Sequence, residues 1–301
     1  GWRWREGWRW RAGCGVGPGE SVPLALEPGE RPMSGAELGA ALVAERAKGR
    51  KLLVPYVTGG LRADWLELLA AMVYAGADAV EVGIPFSDPM MDGPTIQEAS
   101  MLALQRGTTP PSVMADLRDL DVSVPLVVMT YANLVLRAGT RRFARQLVEA
   151  GVRGAIVPDL PLEESVEWER DAAAEGVETV LLAAPVTPDQ RLRRICERSR
   201  GFVYGVNLMG VTGERETLAA SSAVLAKRLK ATTDKPVVMG FGISTPAHAV
   251  AASEHSDGVV VASALMRAAI DGASPDDIGG LVAAIRSALD GPGRASVRGD
   301  G

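Results

Sequence analysis

From Lys51 onward the chain alternates short apolar runs with amphipathic stretches. Eight runs stand out: LLVPYVT (52–58), AVEVGIP (79–85), PLVVMTY (125–131), GAIVPDL (154–160), ETVLLAAP (178–185), GFVYGVN (201–207), PVVMGFG (236–242) and GVVVASA (258–264). Between them lie segments with helical spacing of apolar residues, among them ADWLELLAAMVYAG, RRFARQLVEAG and SSAVLAKRLKAT. Repeated strand-then-helix units predict a parallel sheet covered by helices. Eight of them predict closure into a (β/α)8 TIM barrel, an α/β fold, rather than an open doubly wound sheet. The glycines in AGAD, EAGVRG and AEGVE sit just beyond apolar stripes, where a helix ends on a left-handed residue. Since no linker interrupts this stretch, one catalytic domain is expected over 33–290.

The flanks read differently. Residues 1–32 open with GWRWREGWRWRAG, an imperfect duplication holding four of the chain's 6 tryptophans, and continue into a glycine- and proline-rich stretch. A Trp/Arg run can bind membranes or nucleic acid, but this one lacks an apolar helical stripe and is broken by glycines, so a disordered extension is expected. No apolar core follows the arginines, as a signal peptide requires. Met33 is the first methionine and opens a helical segment, which makes it a candidate initiation site. Residues 291–301 read as a flexible C-terminal tail.

Composition narrows the function. The 301 residues suffice for one barrel of ~250 residues plus an extension. A net charge of −5 gives no electrostatic case for nucleic acid or acidic membranes. Cys14, Cys196, His248 and His255 are too few and too scattered for a zinc site or a disulfide framework, so no metal and a cytoplasmic location are expected. No apolar run reaches the ~18 residues of a membrane-spanning helix.

Barrel chemistry sits at the C-terminal ends of the strands. Lys51 and Lys235 precede strands and belong to the opposite end, and no strand contains a lysine to form a Schiff base. Carboxylates, tyrosines and glycines remain. In Ala79–Pro85, Val80, Val82 and Ile84 alternate with Ala79, Glu81 and Gly83. If the branched set packs on the helices, Glu81 faces the lumen. The following loop delivers Asp92. Taken alone, this pair reads equally as a salt-bridged core residue plus a turn before Pro94, a natural first helical residue, or as an acid–base site. Tyr56, Tyr131 and Tyr204 fall near the ends of strands one, three and six, as packing aromatics or pocket walls.

Glycine-containing or small-residue turns follow strands six, seven and eight: Gly210-Val211-Thr212-Gly213, Gly240-Phe241-Gly242 and Ala262-Ser263, the last opening a helix, SALMRAAI. Phosphate sites in barrels use such loops and a helix N-terminus. Without a basic residue among them, recognition by backbone amides and hydroxyls is expected.

PYVTGG, VEVGIPFSDPMMDGPTIQ, VVMTYANLVL, VPDLPLEE, GVTG, GFGIS and DGVVVASAL recur in order at the tops of successive strands. Through them the chain resembles the tryptophan synthase α-subunit family from Lys51 to about Asp290. The resemblance implies cofactor-free retro-aldol cleavage of indole-3-glycerol phosphate to indole and glyceraldehyde 3-phosphate. It implies Glu81 as general acid/base and Asp92 as the acceptor of the indole N–H. On this reading Tyr56, Ile96, Met129, Tyr131, Tyr204 and Thr212 contact substrate, and Gly213, Gly240, Phe241, Gly242, Ala262 and Ser263 hold phosphate. The implied partner is a pyridoxal-phosphate β subunit in an α2β2 tetramer. Burial should raise the pKa of Glu81 toward neutrality, while Asp92, more exposed on its loop, should stay ionised.

Some positions depart from the family pattern. Ala262 stands where glycine is usual, Asn207-Leu208-Met209 replaces a smaller or more polar stretch, Met90-Met91 replaces Leu-Ala, and Gly60-Leu61 replaces Asp-Pro. These touch loop closure and partner signalling. They leave room for a stand-alone indole-releasing lyase, or for a silent subunit that only activates its partner.

Overall fold

The computed structural model describes residues 37–206, 215–240 and 242–291, the side chains of 215–220 excepted. The expectations for residues 1–32, for Asn207 to Met209, for Thr212, Gly213 and Phe241, and for the tail beyond Gly291 fall outside these residues.

Eight parallel strands close in sequence order, β1-β2-β3-β4-β5-β6-β7-β8. They are β1 (Leu52–Thr58), β2 (Val80–Gly83), β3 (Leu126–Met129), β4 (Val152–Ile156), β5 (Glu178–Ala183), β6 (Val203–Val206), β7 (Val237–Gly240) and β8 (Gly258–Val261). Closure is made by β1 on β8, with Leu52 opposite Gly258 and Pro55 opposite Val261. Seven of the eight expected runs contain a strand, and the eighth, 154–160, overlaps β4, which begins two residues earlier. Most strands stop short of the run's end, because the apolar residues continue into the loops that rim the barrel.

Helices wrap the sheet: α1 (Leu38–Ala47), α2 (Trp65–Tyr74), α3 (Pro94–Gln105), α4 (Pro110–Arg118), α5 (Ala132–Ala138), α6 (Thr140–Glu149), α7 (Val166–Glu175), α8 (Asp189–Arg198), α9 (Arg215–Lys230), α10 (Pro246–Ser253), α11 (Ser263–Ile270) and α12 (Pro275–Asp290). Local chemistry sets several starts. Pro94 takes the first position of α3, while Thr109 with Ser112 and Ser274 with Asp277 form reciprocal capping boxes on α4 and α12. The three glycines expected at helix ends, Gly76, Gly151 and Gly176, all have positive φ.

Alternation along the strands divides the core in two. Val80, Val82, Leu126, Val128 and Val259 face outward and pack with helix residues such as Leu68, Met72, Leu265 and Ile278. Leu52, Val54, Ala79, Val127, Ile156, Val180, Val238 and Val260 face inward and form a separate cluster with Phe202 and with Leu38 and Leu42 of α1. Helix α1 thus plugs the N-terminal end of the barrel with two fully buried leucines. Each such side chain contributes about 1.5–3 kcal/mol of transfer free energy. With the lower lumen filled by aliphatic side chains, the upper lumen is left to the next inward positions: Tyr56, Glu81, Gly83, Met129, Leu182, Tyr204 and Gly240.

Lys51 and Lys235 lie at the lower end, as expected from their place before β1 and β7. The Lys51 ammonium donates to the carbonyls of Ser253 and Ser256, and that of Lys235 to those of Cys196, Glu197 and Ser199.

Candidate active site

Glu81 sits in the middle of β2, paired in register with Tyr56 of β1 and Val127 of β3. It is 2% exposed, and its Oε2 is buried with no hydrogen-bond partner among the described residues. Burial, reinforced by the nearby Asp92 carboxyl, pushes its pKa up to about 8. At neutral pH this group carries a proton that it can give up.

Asp92 precedes α3 on the loop that follows β2. It is half-buried rather than exposed, and its pKa rises to about 6. Burial raises it, and a hydrogen bond from Tyr131, 2.9 Å between the phenol and Oδ2, pulls the other way. The carboxyl therefore remains mostly ionised at pH 7, in a drier setting than its loop position suggested. Two carboxyls in one lumen thus differ in protonation because one lies deep on a strand and the other is hydrogen-bonded at the rim.

The three tyrosines converge on this pair. Burial raises the Tyr56 phenol well above its ordinary pKa, with Asp92, Glu81 and Tyr131 adding to the effect. Tyr204 is raised by burial first, then by Glu81, Asp92 and Tyr56. The Tyr56 hydroxyl accepts from Thr58 at 3.2 Å, which leaves the phenol its own proton to donate. The room for these rings comes from glycine. A Cβ on Gly83 would lie 1.8 Å from the Tyr56 hydroxyl, and one on Gly240 would lie 2.7 Å from the Tyr204 ring. Gly83 makes room for the Tyr56 ring, a role outside the expected set of site residues, and its signal in the sequence is a glycine two positions beyond Glu81 on the same face.

Ile96, in the first turn of α3, is buried in the cluster that includes Tyr56. Met129 is half-buried at the top of β3. Phe86 stacks on Tyr131 with ring centroids 4.8 Å apart. Beside Tyr131 a cavity of about 630 Å³ opens between the loops after β2 and β4, strand β5 and helix α8, lined by Phe86, Met91, Asp159, Leu160, Leu182 and Arg191 among others. Neither Glu81 nor Asp92 lines it; Tyr131 borders both spaces.

On the opposite arc lie the turns after β7 and β8. Gly240 ends β7, and Gly242 follows with φ +56. Ala262 is the N-cap of α11 and Ser263 its exposed first residue, so the first-turn amides lack intrahelical acceptors. Such a terminus suits an anion. Among the described residues no group of three or more His, Cys, Asp or Glu is placed to hold a metal ion.

A barrel with a buried acid on a lumen-facing strand position and an ionised carboxylate on the loop above it has the layout of a lumen-sited (β/α)8 enzyme that moves protons. Sequence comparison narrows the class. The profile of the tryptophan synthase alpha chain matches residues 42–278. The tryptophan synthase alpha chain of Streptomyces coelicolor is 42% identical over 248 residues, covering 81% of this chain and 91% of its own length. That of Chloroflexus aggregans is 44% identical over 246 residues, covering 80% and 92%. A structure of Mycobacterium tuberculosis tryptophan synthase superposes with TM-score 0.78 at 36% identity, covering 85% of this chain and 98% of that one. The chain belongs to the tryptophan synthase alpha chain family.

Proposed function

We propose that this chain cleaves indole-3-glycerol phosphate to indole and glyceraldehyde 3-phosphate, as the alpha subunit of tryptophan synthase in tryptophan biosynthesis. The observation that carries the reading is the state of Glu81: buried at the lumen, with a pKa of about 8. Cleavage needs a proton placed on indole C3 and another removed from the hydroxyl on the adjacent side-chain carbon. Protonated Glu81 gives the first and becomes the base for the second. As the hydroxyl proton leaves, a carbonyl forms and the carbon–carbon bond electrons return to the ring, restoring aromatic indole. The proton count on Glu81 closes, and no cofactor enters the step. Asp92, ionised at the rim, accepts the ring N–H and stabilises the positive charge that develops there.

Tyr56, Ile96, Met129, Tyr131 and Tyr204 would form the walls around the indole, with Thr212 contributing from the loop after β6. Gly213, Gly240, Phe241, Gly242, Ala262 and Ser263 would bind phosphate through amides and one hydroxyl. The catalytic unit is placed at 33–290, with 1–32 and 291–301 as extensions outside the chemistry. The partner in this reading is a β subunit that holds pyridoxal phosphate, in an α2β2 assembly. Met90, 82% exposed, and Met91 offer apolar contact surface on the loop that carries Asp92. A cytoplasmic location fits a phosphorylated substrate that does not cross membranes. Among the described residues no helix is long and apolar enough to span one.

The test is release of glyceraldehyde 3-phosphate from indole-3-glycerol phosphate, with and without a β subunit. Release is expected in both arms, faster with the partner. Glu81→Gln should abolish turnover while leaving binding of glycerol 3-phosphate intact. Near-normal turnover by this variant would remove Glu81 from the mechanism.

A further inference from the structure

Asp92 sits on a loop, and its carboxylate is held there by the hydroxyl of Tyr131. That hydroxyl has two neighbours. The backbone N–H of Met91 donates to it at 3.1 Å, and the hydroxyl lies 2.9 Å from Oδ2 of Asp92. A phenol has one proton to give, and an amide N–H can only donate. The Met91 bond therefore fixes the polarity: the phenol accepts from Met91, and its proton is left for Asp92. The ring is fixed as well, stacked on Phe86 at an interplanar angle of 21°. Phe86, Met91 and Asp92 are the start and end of one loop, and all three engage the same side chain. The side-chain amide of Gln97, from α3, adds a bond to the main-chain carbonyl of Asp92 at 2.9 Å.

We propose that Tyr131 is a positioning residue: it winds the loop after β2 around its ring and presents Asp92 to the lumen as a fixed, hydrogen-bonded carboxylate. This rests on the reading that Asp92 meets the ring N–H in its ionised form. Burial works against that form, and the groups that face the site among the described residues do not relieve it. They are the Glu81 carboxyl from β2 and the phenols of Tyr56 and Tyr204 from β1 and β6; Asp88 lies on the loop itself, and Asp159, after β4, acts on Tyr131. The phenol of Tyr131 provides the stabilising hydrogen bond.

Tyr131→Phe keeps the ring and its stacking and removes only the hydroxyl. A hydrogen bond to a charged group of this kind corresponds to about one pH unit in the titration of the carboxylate. In the full chain labelled with carboxyl-13C aspartate, with Asp92→Asn assigning the resonance, the Asp92 midpoint should move up by about one unit. With the β partner present, the acid limb of kcat should move with it, so that the loss in kcat is about fivefold greater near pH 6 than at pH 8. In an Asp92→Asn background the loss caused by Tyr131→Phe near pH 6 should be smaller than in the wild type. Wild-type protein supplies an arm free of folding effects: the Tyr131 Cζ resonance should step at the Asp92 midpoint. An unmoved Asp92 titration, equal losses in both backgrounds, or a flat Tyr131 response would each overturn the proposal. Failure of the wild type to cleave indole-3-glycerol phosphate would instead remove the functional reading, while the two titrations would still decide the tether.

Discussion

The ring of Tyr56 occupies the space that any side chain on Gly83 would need, since a Cβ there would sit 1.8 Å from the phenolic oxygen and 2.5 Å from Cζ. Both residues face the lumen from adjacent strands, and Tyr56 pairs in register with Glu81, two positions before Gly83. Tyr56 is rigidly held, buried and bonded to Thr58, so it cannot yield cheaply. Gly83→Ala is expected to cost about 1–3 kcal/mol of stability as an overpacked site. Because the displaced ring borders the acid, turnover should also fall on the order of 10- to 100-fold. Urea unfolding and a lyase assay on the same preparation check both, and an unchanged midpoint with unchanged turnover would contradict the tight approach.

The buried acid makes stability depend on pH in a definite sense. Glu81 has a folded-state pKa of about 8 against an ordinary value of 4.5. Between these values the folded state holds a proton that the unfolded state has lost, so stability falls as pH rises through this window. Below pH 4.5 the group makes no demand; above pH 8 the full cost of a buried charge, on the order of a few kcal/mol, is present. Glu81→Gln removes this dependence. The variant should match wild type near pH 4.5 and exceed it in thermal stability near pH 9 while failing to turn over. A variant less stable than wild type at pH 9 would speak against a desolvated carboxyl.

Much of this arrangement was legible in the sequence, for a physical reason. A parallel strand covered on both faces reads as a continuous apolar run, so a lone glutamate inside AVEVG marks the lumen without any long-range information. The setting of Asp92 was not legible, because the phenol that hydrogen-bonds it belongs to Tyr131, 39 residues further along the chain. The docking of α1 was equally out of reach. Its pattern announces a helix, but nothing in Leu38 or Leu42 says that they fill the barrel's end rather than its outside. The apolar runs overstated strand lengths where the same residues serve as loop and pocket wall, as at Tyr131.

At the N-terminal end of the barrel an ion pair is buried for a different purpose. Arg286 of α12 donates to Asp78 at 3.1 Å and to the carbonyl of Lys51 at 2.8 Å, while Asp78 accepts from the backbone of Leu53 at 2.7 Å. Burial raises the Asp78 pKa and lowers that of Arg286, in each case as the largest influence, so the pair is costly to desolvate and more costly to break. Removing one partner of such a pair costs about 3–5 kcal/mol. Arg286→Met should fall near the lower figure, since Arg50 remains 3.4 Å from Asp78. Turnover at a permissive temperature should be unchanged, because the active site lies at the other end of the strands. Chemical denaturation together with steady-state rates separates this outcome from a general loss of fold.

Glu178, at the start of β5, holds the plug in place. Its two carboxylate oxygens accept from the backbone N–H of Gly39, in the first turn of α1, at 2.8 Å and from that of Gly201, before β6, at 3.1 Å. The bond to Gly39 does the work of an N-cap, but from a residue 139 positions away; Glu37, the local N-cap, makes no side-chain cap bond. Losing a cap costs about 1–2 kcal/mol. Glu178→Ala should therefore loosen α1 locally, with amide exchange faster from Gly39 to Leu42 and little change in the strands. Leu38 and Leu42 meet the lumen cluster only at the barrel's end, so the loss should stay local and global stability should fall by well under the about 1–2 kcal/mol lost at the helix. Hydrogen-exchange mass spectrometry resolves the two scales. Uniform acceleration across the barrel would mean that α1 is part of the folding unit itself rather than a plug pinned by one side chain.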